Sequence, residues 1–486
     1  MADRSDFDVI VVGAGMFGSS AAKYIRRMQP SLRVAVVGPD DNRGPLARGQ
    51  HFDEARICRR VESSAAWAHL NDLGALSYGE TEATSGIDFY TPCGCLWVAS
   101  AADAERIGAA LDAVTASSGG ADAAPFVVVR EAGDAGDAAA AAALAAGKTS
   151  VVRVTDSSAA AEAVYGCGVR VGHLETAGEA TRYFAESGRG GGGTVHPTRY
   201  VEAQLACAAA VAPASHYTRV VEVALHIERS GGDGDDGGAA AVMYAVKTDA
   251  ERTYRAPRVL VATAAFSKYH AHLPPSVCEQ LYPHPIYVVL LRVQPPHDDH
   301  AANVQASLQF PSVICTSGAA SNRFYALPPR YYADRGGWFV KMGGASNWLS
   351  AVKDADVSTV TAAVDWFEKG ETVPATHPGA QALAASLAKV YTAWPVLPDT
   401  PLPPPHASCH VVRCIFDETA DELPLIGCAD GAGLHCAVGG CGRGAKTCDP
   451  IGCIAAHRLL GKELPPAYAF AAALFHPQKD AAPAPS

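Results

Sequence analysis

The sequence predicts an α/β protein organised around a parallel sheet, and three observations lead to this prediction. Residues 8–12 form a short, β-branched apolar run, which is typical of a buried parallel strand. Residues 13–18 carry glycines in G-x-G-x-x-G spacing, and small and apolar residues then recur at helical intervals. Residues 434–438 form another apolar strand, followed by the glycine-rich GGCGRGAK and a helix through Leu460. The chain therefore contains two strand–glycine turn–helix units, each able to present backbone N–H groups to a ligand.

The first of these units has the features of a dinucleotide-binding turn. It reads FDVIVVGAGMFGSS from Phe7 to Ser20. Gly13 allows the tight turn, Gly15 lets the backbone approach a pyrophosphate, and Gly18 lets the helix pack closely on the strand. The free N–H groups at the helix N-terminus favour phosphate. Because strand, turn and helix follow in this order, we predict a Rossmann-type dinucleotide site rather than an unspecialised glycine-rich turn.

The second strand, residues 33–37, departs from the usual dinucleotide pattern at its end. An acidic residue commonly stands there and binds a ribose hydroxyl. This chain has Gly38 and Pro39 instead, followed by Asp40 and Asp41. Three alternatives stay open: one of these aspartates reaches the ribose, the backbone replaces it, or both are solvated turn residues.

Length and composition bound the remaining possibilities. The chain has 486 residues, 49% of them hydrophobic and 18% charged, which suits two connected domains. A net charge of −11 argues against nucleic acid as a partner. There is no apolar run that could span a membrane, no signal peptide and no peroxisomal tripeptide, so we expect a cytoplasmic protein, with an organelle left open. The fourteen cysteines lack zinc-type spacing, so we predict no metal and mostly buried thiols. A monomer is our starting expectation.

The middle of the chain alternates between low-complexity segments and predicted elements. Residues 101–146 are rich in Ala, Gly and Asp, and we interpret them as a variable, partly helical insertion. Residues 230–240 and 398–405 have the composition of an acidic loop and a proline-rich connector. The predicted helices are a short one at 67–73 and one that begins near Pro197 and ends near Ala210. The predicted strands are 220–227, 242–248, 258–263, 286–293, 411–416, 423–427 and a hairpin of 324–327 with 338–342.

Two residues on these strands are candidates for chemistry. Lys341 lies between apolar neighbours in the second hairpin strand, where a lysine commonly extends its ammonium to solvent. Cys414 lies within the strand at 411–416, where a buried structural thiol is the simplest interpretation. The strand at 258–263 ends in small residues, as in a strand that returns to a nucleotide domain, so we predict that this domain is discontinuous.

Taken together, these segments resemble the flavin amine oxidases that include monomeric sarcosine oxidase, pipecolate oxidase and fructosyl-amino-acid oxidase, in the D-amino-acid oxidase superfamily. GAGMFGSS is similar to the family's FAD-binding loop, and GQHFDEARICRR is similar to its loop beside the isoalloxazine. RCIFDETADELPLIG resembles the segment with the covalent cysteine, WFVKMGG the segment with the oxygen-assisting lysine, and AVGGCGRGAKTCDPIG the segment with the substrate-binding lysine. The resemblance covers most of the chain outside the insertions.

The resemblance implies a set of site residues. The catalytic set is Lys341, Lys446 and Arg59. The residues that it implies in FAD binding are Gly13, Gly15, Met16, Phe17, Gly18, His51, Arg56, Cys414, Gly440, Gly442, Gly444 and Lys446. Cys414 would be bonded to the flavin 8α carbon, Lys341 would assist oxygen, and Lys446 with Arg59 would bind a substrate carboxylate. A structural lysine near a flavin phosphate is the alternative for Lys446.

These residue types suit the implied chemistry. A buried ammonium can stabilise the charge that develops on oxygen, provided that a partner offsets its desolvation. An arginine and a lysine together can bind one carboxylate. A cysteine thiolate can attack the flavin methyl position and fix the cofactor.

The sequence departs from the sarcosine branch at two positions. Phe416 stands where that branch has a tyrosine, and Ala345 stands where it has a histidine. Both changes remove a polar group, which predicts a larger or less polar substrate pocket and disfavours sarcosine itself.

The resemblance implies an FAD-dependent enzyme that oxidises the C–N bond of a secondary or N-substituted amino acid and reduces oxygen to hydrogen peroxide. A dehydrogenase of the same fold, which passes electrons to a quinone or protein, is the alternative, and a non-catalytic FAD-binding protein is a third. The expected FAD-binding domain comprises residues 1–91, 190–275 and 421–475. The expected mixed-sheet substrate domain comprises residues 92–189 and 276–420, and residues 476–486 form a tail.

Overall fold

The computed structural model describes residues 6–39, 53–120, 124, 126–130, 133–175, 179–188, 191–230, 242–269, 272–317, 323–344, 357–368, 385, 388–397 and 409–477. The helices are α1 (Met16–Met28), α2 (Ala65–Ser85), α3 (Ala101–Ser117), α4 (Gly133–Ala145), α5 (Ser158–Ala163), α6 (Pro197–Ala210), α7 (Pro275–Cys278), α8 (His300–Ser307), α9 (Val360–Glu368) and α10 (Gly444–Leu459).

The strands are β1 (Val9–Val12), β2 (Val34–Gly38), β3 (Arg56–Cys58), β4 (Tyr90–Thr91), β5 (Cys95–Ser100), β6 (Phe126–Val129), β7 (Ser150–Thr155), β8 (Thr181–Ser187), β9 (Gly193–Val195), β10 (Tyr217–Val221), β11 (Ala224–Ser230), β12 (Met243–Thr248), β13 (Thr253–Ala256), β14 (Val259–Val261), β15 (Tyr282–Arg292), β16 (Ser312–Cys315), β17 (Phe324–Tyr332), β18 (Gly337–Gly343), β19 (Cys409–Glu418), β20 (Leu425–Cys428) and β21 (Leu434–Val438). The α/β prediction is confirmed.

A six-stranded sheet carries both glycine-rich turns. Its order is β10-β2-β1-β14-β21-β20, and every neighbouring pair is parallel except β20 with β21. Strands β1, β2 and β21 are fully buried, which explains why they are apolar without alternation. Because β1, β14 and β21 are parallel neighbours, their carboxyl ends share one edge. The turns that lead into α1 and α10 therefore lie side by side.

Helices α1 and α10 pack against each other closely enough that a side chain would not fit at their contact. A Cβ atom on Gly452 would lie 2.5 Å from Ser20 Cβ and 2.6 Å from the Ala21 nitrogen. Next to this contact, the buried Lys23 ammonium forms an ion pair with Asp449. Gln204 Nε2 also donates to the Asp449 carboxylate, at 2.8 Å. The buried ion pair and the glycine contact together fix the two helices relative to one another.

A nine-stranded mixed sheet forms the second large layer. Its order is β19-β15-β18-β17-β16-β5-β8-β7-β6. The predicted hairpin is present as β17 and β18, which pair antiparallel around a short helical turn. All seven residues of β18 are buried, so this strand lies at the centre of the protein rather than at its surface. Two three-stranded sheets, β11-β12-β13 and β3-β9-β4, complete the architecture.

Several element boundaries confirm the sequence-based predictions. Helix α6 spans Pro197–Ala210 with Pro197 in its first turn, and β21 spans Leu434–Val438 as predicted. Helix α10 ends at Leu459, and Gly461 follows with a positive φ of 63°. The two low-complexity predictions at 230–240 and 398–405 fall almost wholly outside the described residues.

Two predictions about local structure were wrong, and a third was incomplete. Residues 101–146 are partly helical as predicted, but they also belong to the folded core, because α3 buries Ile107, Leu111 and Val114 and β6 extends the nine-stranded sheet. The helix predicted at 67–73 spans Ala65–Ser85, since its buried Trp67 and Tyr78 make packing contacts that propensity does not reveal. The strand predicted at 220–227 is two strands, β10 and β11, that belong to different sheets.

No helix within the described ranges combines the length and the apolar character that crossing a bilayer requires. The same ranges contain no group of three or more His, Cys, Asp or Glu side chains arranged to hold a metal ion.

Candidate functional site

The two glycine turns and the nine-stranded sheet enclose one cavity of about 850 Å³. Most of the predicted site residues line it: Gly13, Gly15, Met16, Phe17, Arg56, Arg59, Lys341, Cys414, Gly440, Gly442, Gly444 and Lys446. Gly18 lies behind the cavity wall, and His51 lies outside the described residues. The structure thus brings together residues that are more than 400 positions apart in sequence.

The first glycine turn has the geometry that its sequence predicts. Gly13 has φ of 104°, a left-handed conformation that favours glycine, and a Cβ there would lie 2.4 Å from the Ala262 carbonyl oxygen. A Cβ on Gly18 would lie 1.8 Å from the Gly13 carbonyl oxygen, so α1 can approach β1 only with glycine at this position. Gly15 caps α1 without a side-chain hydrogen bond, and the first turn contains no acidic residue. The N-terminal amides of α1 therefore suit an anionic phosphate.

The second glycine turn is held next to the first. A Cβ on Gly444 would lie 2.9 Å from Phe17 Cζ, so the Phe17 ring fills the space between the two turns. The buried carboxylate of Asp417 accepts hydrogen bonds from the Gly439 and Gly440 amides. The Cys441 amide donates to the Asp417 carbonyl oxygen at 2.8 Å. Asp417, which the sequence analysis missed, joins this turn to the strand that carries Cys414.

The end of β2 contains no carboxylate. A Cβ on Gly38 would lie 2.7 Å from the Ala14 nitrogen, so this position packs directly against the first glycine turn. Arg219 donates to the Gly38 and Pro39 carbonyl oxygens at 2.8 and 3.0 Å and fixes their orientation. Asp40 and Asp41 lie outside the described residues. The described part of this turn offers backbone groups rather than a side-chain acid.

Lys341 does not extend to solvent, which corrects the simpler interpretation of its position. The residue is 3% exposed, and its side chain lines the cavity. Its ammonium forms an ion pair with Asp53 and donates to the Ala55 carbonyl oxygen at 3.1 Å. Burial lowers the pKa of Lys341 well below its usual value, and the nearby positive charge of Arg56 lowers it further.

Lys446 lies on the cavity wall in a second group of charged residues, together with Arg59 and Glu62. The side chain is 3% exposed, and its ammonium donates to the Arg443 carbonyl oxygen at 3.3 Å. Burial, together with the positive charge of Arg59, lowers the pKa of Lys446 to about 7. Glu62 opposes this shift, and its own carboxylate is fully buried. This lysine is therefore poised to gain or lose its proton near neutral pH.

Arg59 is held in place by two partners. Its Nη2 donates to Glu62 Oε2 at 2.7 Å, and its guanidinium lies 5.0 Å from the centre of the Trp97 ring. Burial raises the pKa of Glu62, but the positive charges of Arg59, Lys446 and Arg443 outweigh this effect and hold it at about 2. Glu62 is thus ionised at neutral pH. The sequence analysis missed it, although its position three residues after Arg59 is a spacing at which such pairs form.

Cys414 and Phe416 lie on β19 and both line the cavity. Cys414 is half-buried and is paired across the ladder with Ile286 of β15. The Phe416 ring stacks on His284, with ring centres 4.9 Å apart, and lies next to Gly442. Ala345, the other departure from the sarcosine branch, lies outside the described residues.

Tyr325 also lines the cavity and was not among the predicted site residues. It is paired with Gly343 across the hairpin, and a Cβ there would lie 2.3 Å from the phenol oxygen. Glycine at this position therefore lets the ring lie across the neighbouring strand. Burial raises the pKa of Tyr325 to about 12, so the phenol is a hydrogen-bond donor at neutral pH. Tyr325 lies at the start of β17, away from the hairpin turn, and no sequence motif pointed to it.

The cavity fits a flavin dinucleotide. Two helix N-termini without side-chain caps meet at one edge of a parallel sheet, where a pyrophosphate can bind. Close backbone approach is possible at both glycine turns, and the remainder of the wall carries buried cationic groups and a cysteine.

Comparison with known proteins agrees with this geometry. Residues 8–458 match the family described as DAO, FAD dependent oxidoreductase. The fold is similar to iminodiacetate oxidase from Chelativorans sp. BNC1, with TM-score 0.57, 15% identity, and coverage of 97% of this chain and 100% of that one. It is also similar to glycine oxidase from Geobacillus kaustophilus, with TM-score 0.54, 15% identity, and coverage of 94% and 96%.

Two further similarities complete the comparison. The fructosyl amine:oxygen oxidoreductase Amadoriase I from Aspergillus fumigatus has TM-score 0.53 and 16% identity, with coverage of 95% of this chain and 88% of that one. A flavoprotein chain of sulfide dehydrogenase (flavocytochrome c) from Chlorobaculum thiosulfatiphilum is 52% identical over 31 residues. That match covers 6% of this chain and 65% of the length of the relative.

Asp417 should be needed for cofactor incorporation. We expect Asp417→Ala to lower both the FAD-to-protein ratio and the midpoint of thermal unfolding. The backbone amides of Gly439 and Gly440 would lose the carboxylate that accepts their hydrogen bonds, at a cost of about 1–3 kcal/mol each. Glu418→Ala is the matched control. In the part of the chain that the structure describes, the one ion-pair contact of the neighbouring Glu418 carboxylate is with the half-exposed His284, at 3.2 Å. Equal FAD content and equal midpoints in the two variants would contradict this role.

Proposed function

Because this chain belongs to the DAO family of FAD-dependent oxidoreductases, we propose that it oxidises the C–N bond of a secondary or N-substituted amino acid, with oxygen reduced to hydrogen peroxide. The observation that carries this proposal is the presence of two buried lysines, Lys341 and Lys446, on the wall of one flavin-sized cavity. A buried lysine requires a reason, since desolvation disfavours its charge. In this proposal Lys446 binds the anionic group of the substrate, and Lys341 stabilises the negative charge that develops on oxygen.

When bound, FAD would take a hydride from the substrate carbon and pass the electrons to oxygen. The residues proposed to hold it are Gly13, Gly15, Met16, Phe17 and Gly18 at the first turn, with Gly440, Gly442 and Gly444 at the second. Their support is the pair of uncapped helix N-termini and the close backbone approaches. Arg56 is proposed to lie beside the ring system because it lines the same cavity near Lys341.

The proposed binding site for the substrate carboxylate is formed by Lys446 and Arg59. Two of the three positive charges in this cluster are offset by carboxylates: Arg59 by Glu62 at 2.7 Å, and Arg443 by Glu422 at 2.8 Å. One net positive charge then remains while Lys446 is protonated, which matches a single carboxylate. Without that proton the cluster is neutral and has less affinity for an anion.

The rest of the pocket is proposed to accept an apolar or bulky amine substituent. Ile57, Ile314, Leu327 and Phe416 line the cavity. Phe416 offers only its ring where the sarcosine branch has a phenol, and the stacked His284 holds that ring in position. Such a wall stabilises a substrate side chain by burying its apolar surface, about 25 cal/mol per Å².

A covalent bond from Cys414 to the flavin is proposed as well. It is supported by the position of this half-buried cysteine on the cavity wall and by the surrounding RCIFDE segment. Asp417, three residues further along β19, holds the second glycine turn. The strand that carries the cysteine is therefore fixed relative to the cofactor site.

A dehydrogenase that passes electrons to a quinone or protein is the second candidate. The observation that favours it is the ion pair of Lys341 with Asp53, because a carboxylate in contact with the ammonium offsets part of its charge. Lys341 itself favours the oxidase. Stopped-flow reoxidation by oxygen, compared with reduction of a quinone, separates the two.

The domain division also stays a proposal: residues 1–91, 190–275 and 421–475 for FAD, and 92–189 with 276–420 for the substrate. It is supported by the sheets, since all strands of the six-stranded sheet fall in the first set and all strands of the nine-stranded sheet fall in the second. A cytoplasmic location and a monomeric state remain predictions from the sequence.

The first test concerns the carboxylate site. We expect kcat/KM for a carboxylated amine, divided by that for its decarboxylated analogue, to fall as pH rises above about 7, because the Lys446 ammonium is then lost. The ratio removes the pH dependence that the two substrates share. Lys446→Met should lower the ratio and abolish its pH dependence, whereas Lys462→Met, at an exposed lysine, should leave both unchanged. A ratio that does not depend on pH in the wild-type enzyme would argue against this site.

The second test concerns the covalent bond. Acid precipitation of the wild-type protein should leave the yellow colour in the pellet, whereas Cys414→Ser should release it to the supernatant. Cys428→Ser is a control at another partly buried cysteine, and it should behave like the wild type. Colour in the supernatant of the wild-type sample would show that no bond forms.

The third test concerns oxygen. Lys341→Met removes the charge and approximately keeps the volume, so we expect substrate reduction of the flavin to change little. Reoxidation by oxygen should slow by about two to three orders of magnitude, since a preorganised charge contributes ~3–4 kcal/mol. Lys247→Met, at an exposed lysine paired with Glu228, is the control. Unchanged reoxidation would leave the oxidase proposal without its main support and favour the dehydrogenase.

A further inference from the structure

The Asp53 carboxylate, near the proposed oxygen site, has four hydrogen-bond or ion-pair partners. Its Oδ1 atom accepts from the Tyr332 hydroxyl at 3.0 Å and from the Glu54 amide at 2.8 Å. Its Oδ2 atom contacts both the Lys341 ammonium and the Arg56 guanidinium. The side chain is 11% exposed. One carboxylate thus joins the loop before β3 to the strands β17 and β18 of the nine-stranded sheet.

The surroundings of Lys341 explain why such a partner is required. Across the ladder it is paired with Leu290 of β15 and Leu327 of β17, which offer no charge. Besides Asp53, the titratable groups that act on it are Arg56, which disfavours its protonation, and Cys414, which favours it. Burial acts in the same direction as Arg56. Asp53 is therefore the negative charge in contact with this ammonium.

We propose that Asp53 is a positioning residue that keeps the Lys341 ammonium charged and aimed at the cavity. Two of the three ammonium protons face Asp53 and the Ala55 carbonyl oxygen, which leaves one for the cavity. Tyr332 and the Glu54 amide fix the carboxylate, so the ammonium has one orientation. No motif of the sequence assigns this role to Asp53. The placement of Lys341 stands on geometry alone, and only its consequence for oxygen rests on the proposed function.

The consequence is a defined division of roles between two adjacent residues. Lys341 supplies the charge that faces the reacting oxygen, and Asp53 determines the pH range over which that charge exists. Replacing Asp53 by a neutral group leaves a buried lysine beside an arginine, so the lysine should lose its proton at a lower pH than in the wild type. The positive charge would then remain on Arg56 alone.

The direct experiment measures the titration of Lys341 in the full-length protein. The Cε resonance of isotopically labelled lysine is followed by NMR as pH is varied, and the Lys341 signal is assigned by its loss in Lys341→Met. We expect the midpoint in Asp53→Asn to lie about 1–3 pH units below that of the wild type, since an adjacent opposite charge shifts a pKa by this amount. Glu54→Gln is the matched control, because it removes the neighbouring carboxylate, which instead contacts His196 at 3.1 Å.

The same variants give a functional readout. Flavin reoxidation by oxygen should fall about tenfold for each pH unit above the Lys341 midpoint, and in Asp53→Asn this fall should begin at a lower pH than in the wild type. An unshifted Lys341 midpoint in Asp53→Asn, or an equal shift in Glu54→Gln, overturns the proposal. If the midpoint shifts but oxygen reacts slowly at every pH, the positioning role stands and the oxidase function fails. If Asp53→Asn does not fold, Asp53→Ala provides the same titration, with thermal unfolding as the check.

Discussion

The contact between α1 and α10 is the constraint on which the site depends. Because Gly452 has no side chain, α10 can pack against α1 at a distance that a Cβ atom at this position would prevent. The buried ion pair of Lys23 with Asp449 holds the two helices in this contact. Removing one partner of such a pair would leave an uncompensated buried charge, which costs about 3–5 kcal/mol. Since each helix begins at a glycine turn, their contact determines where both N-termini point. The phosphate end of the cavity is thus a consequence of how two helices pack.

The cavity has a charge character opposite to that of the chain. The whole protein carries a net charge of −11. Among the described residues that line the cavity, six are cationic and one is acidic: Arg56, Arg59, Arg323, Lys341, Arg443 and Lys446, with Asp417. Asp53 and Glu62 lie behind this lining and contact Lys341 and Arg59. A low-dielectric wall with concentrated positive charge attracts anions locally, even within an acidic protein.

Local sequence patterns predicted the parts of this protein that depend on local interactions. The turn at Gly13, the helix from Pro197 and the strand that ends at Val438 follow from glycine conformation, proline geometry and apolar runs. The partners of the two lysines could not be predicted in the same way. Asp53 is 288 residues from Lys341, and β18 is buried on both faces, so no alternation shows which side a residue takes. The packing of residues 101–146 into the core could not be predicted for a similar reason, because Ala-rich helices bury surface only through tertiary contacts.

The order of strands in the six-stranded sheet affects how the protein is made. Strands β1 and β2 come first, β14 follows at Val259–Val261, and β21 with α10 comes after residue 433. A translating ribosome therefore releases β1 and β2 long before β14 and β21 exist, so one side of the apolar strand β1 must wait for its parallel neighbour β14. Contacts between such distant segments form slowly, because loop closure costs entropy before the contacts repay it. The nucleotide site is accordingly assembled after most of the chain has been synthesised. As a direct result of this topology, the apolar strands that are made first are exposed to chaperones until then.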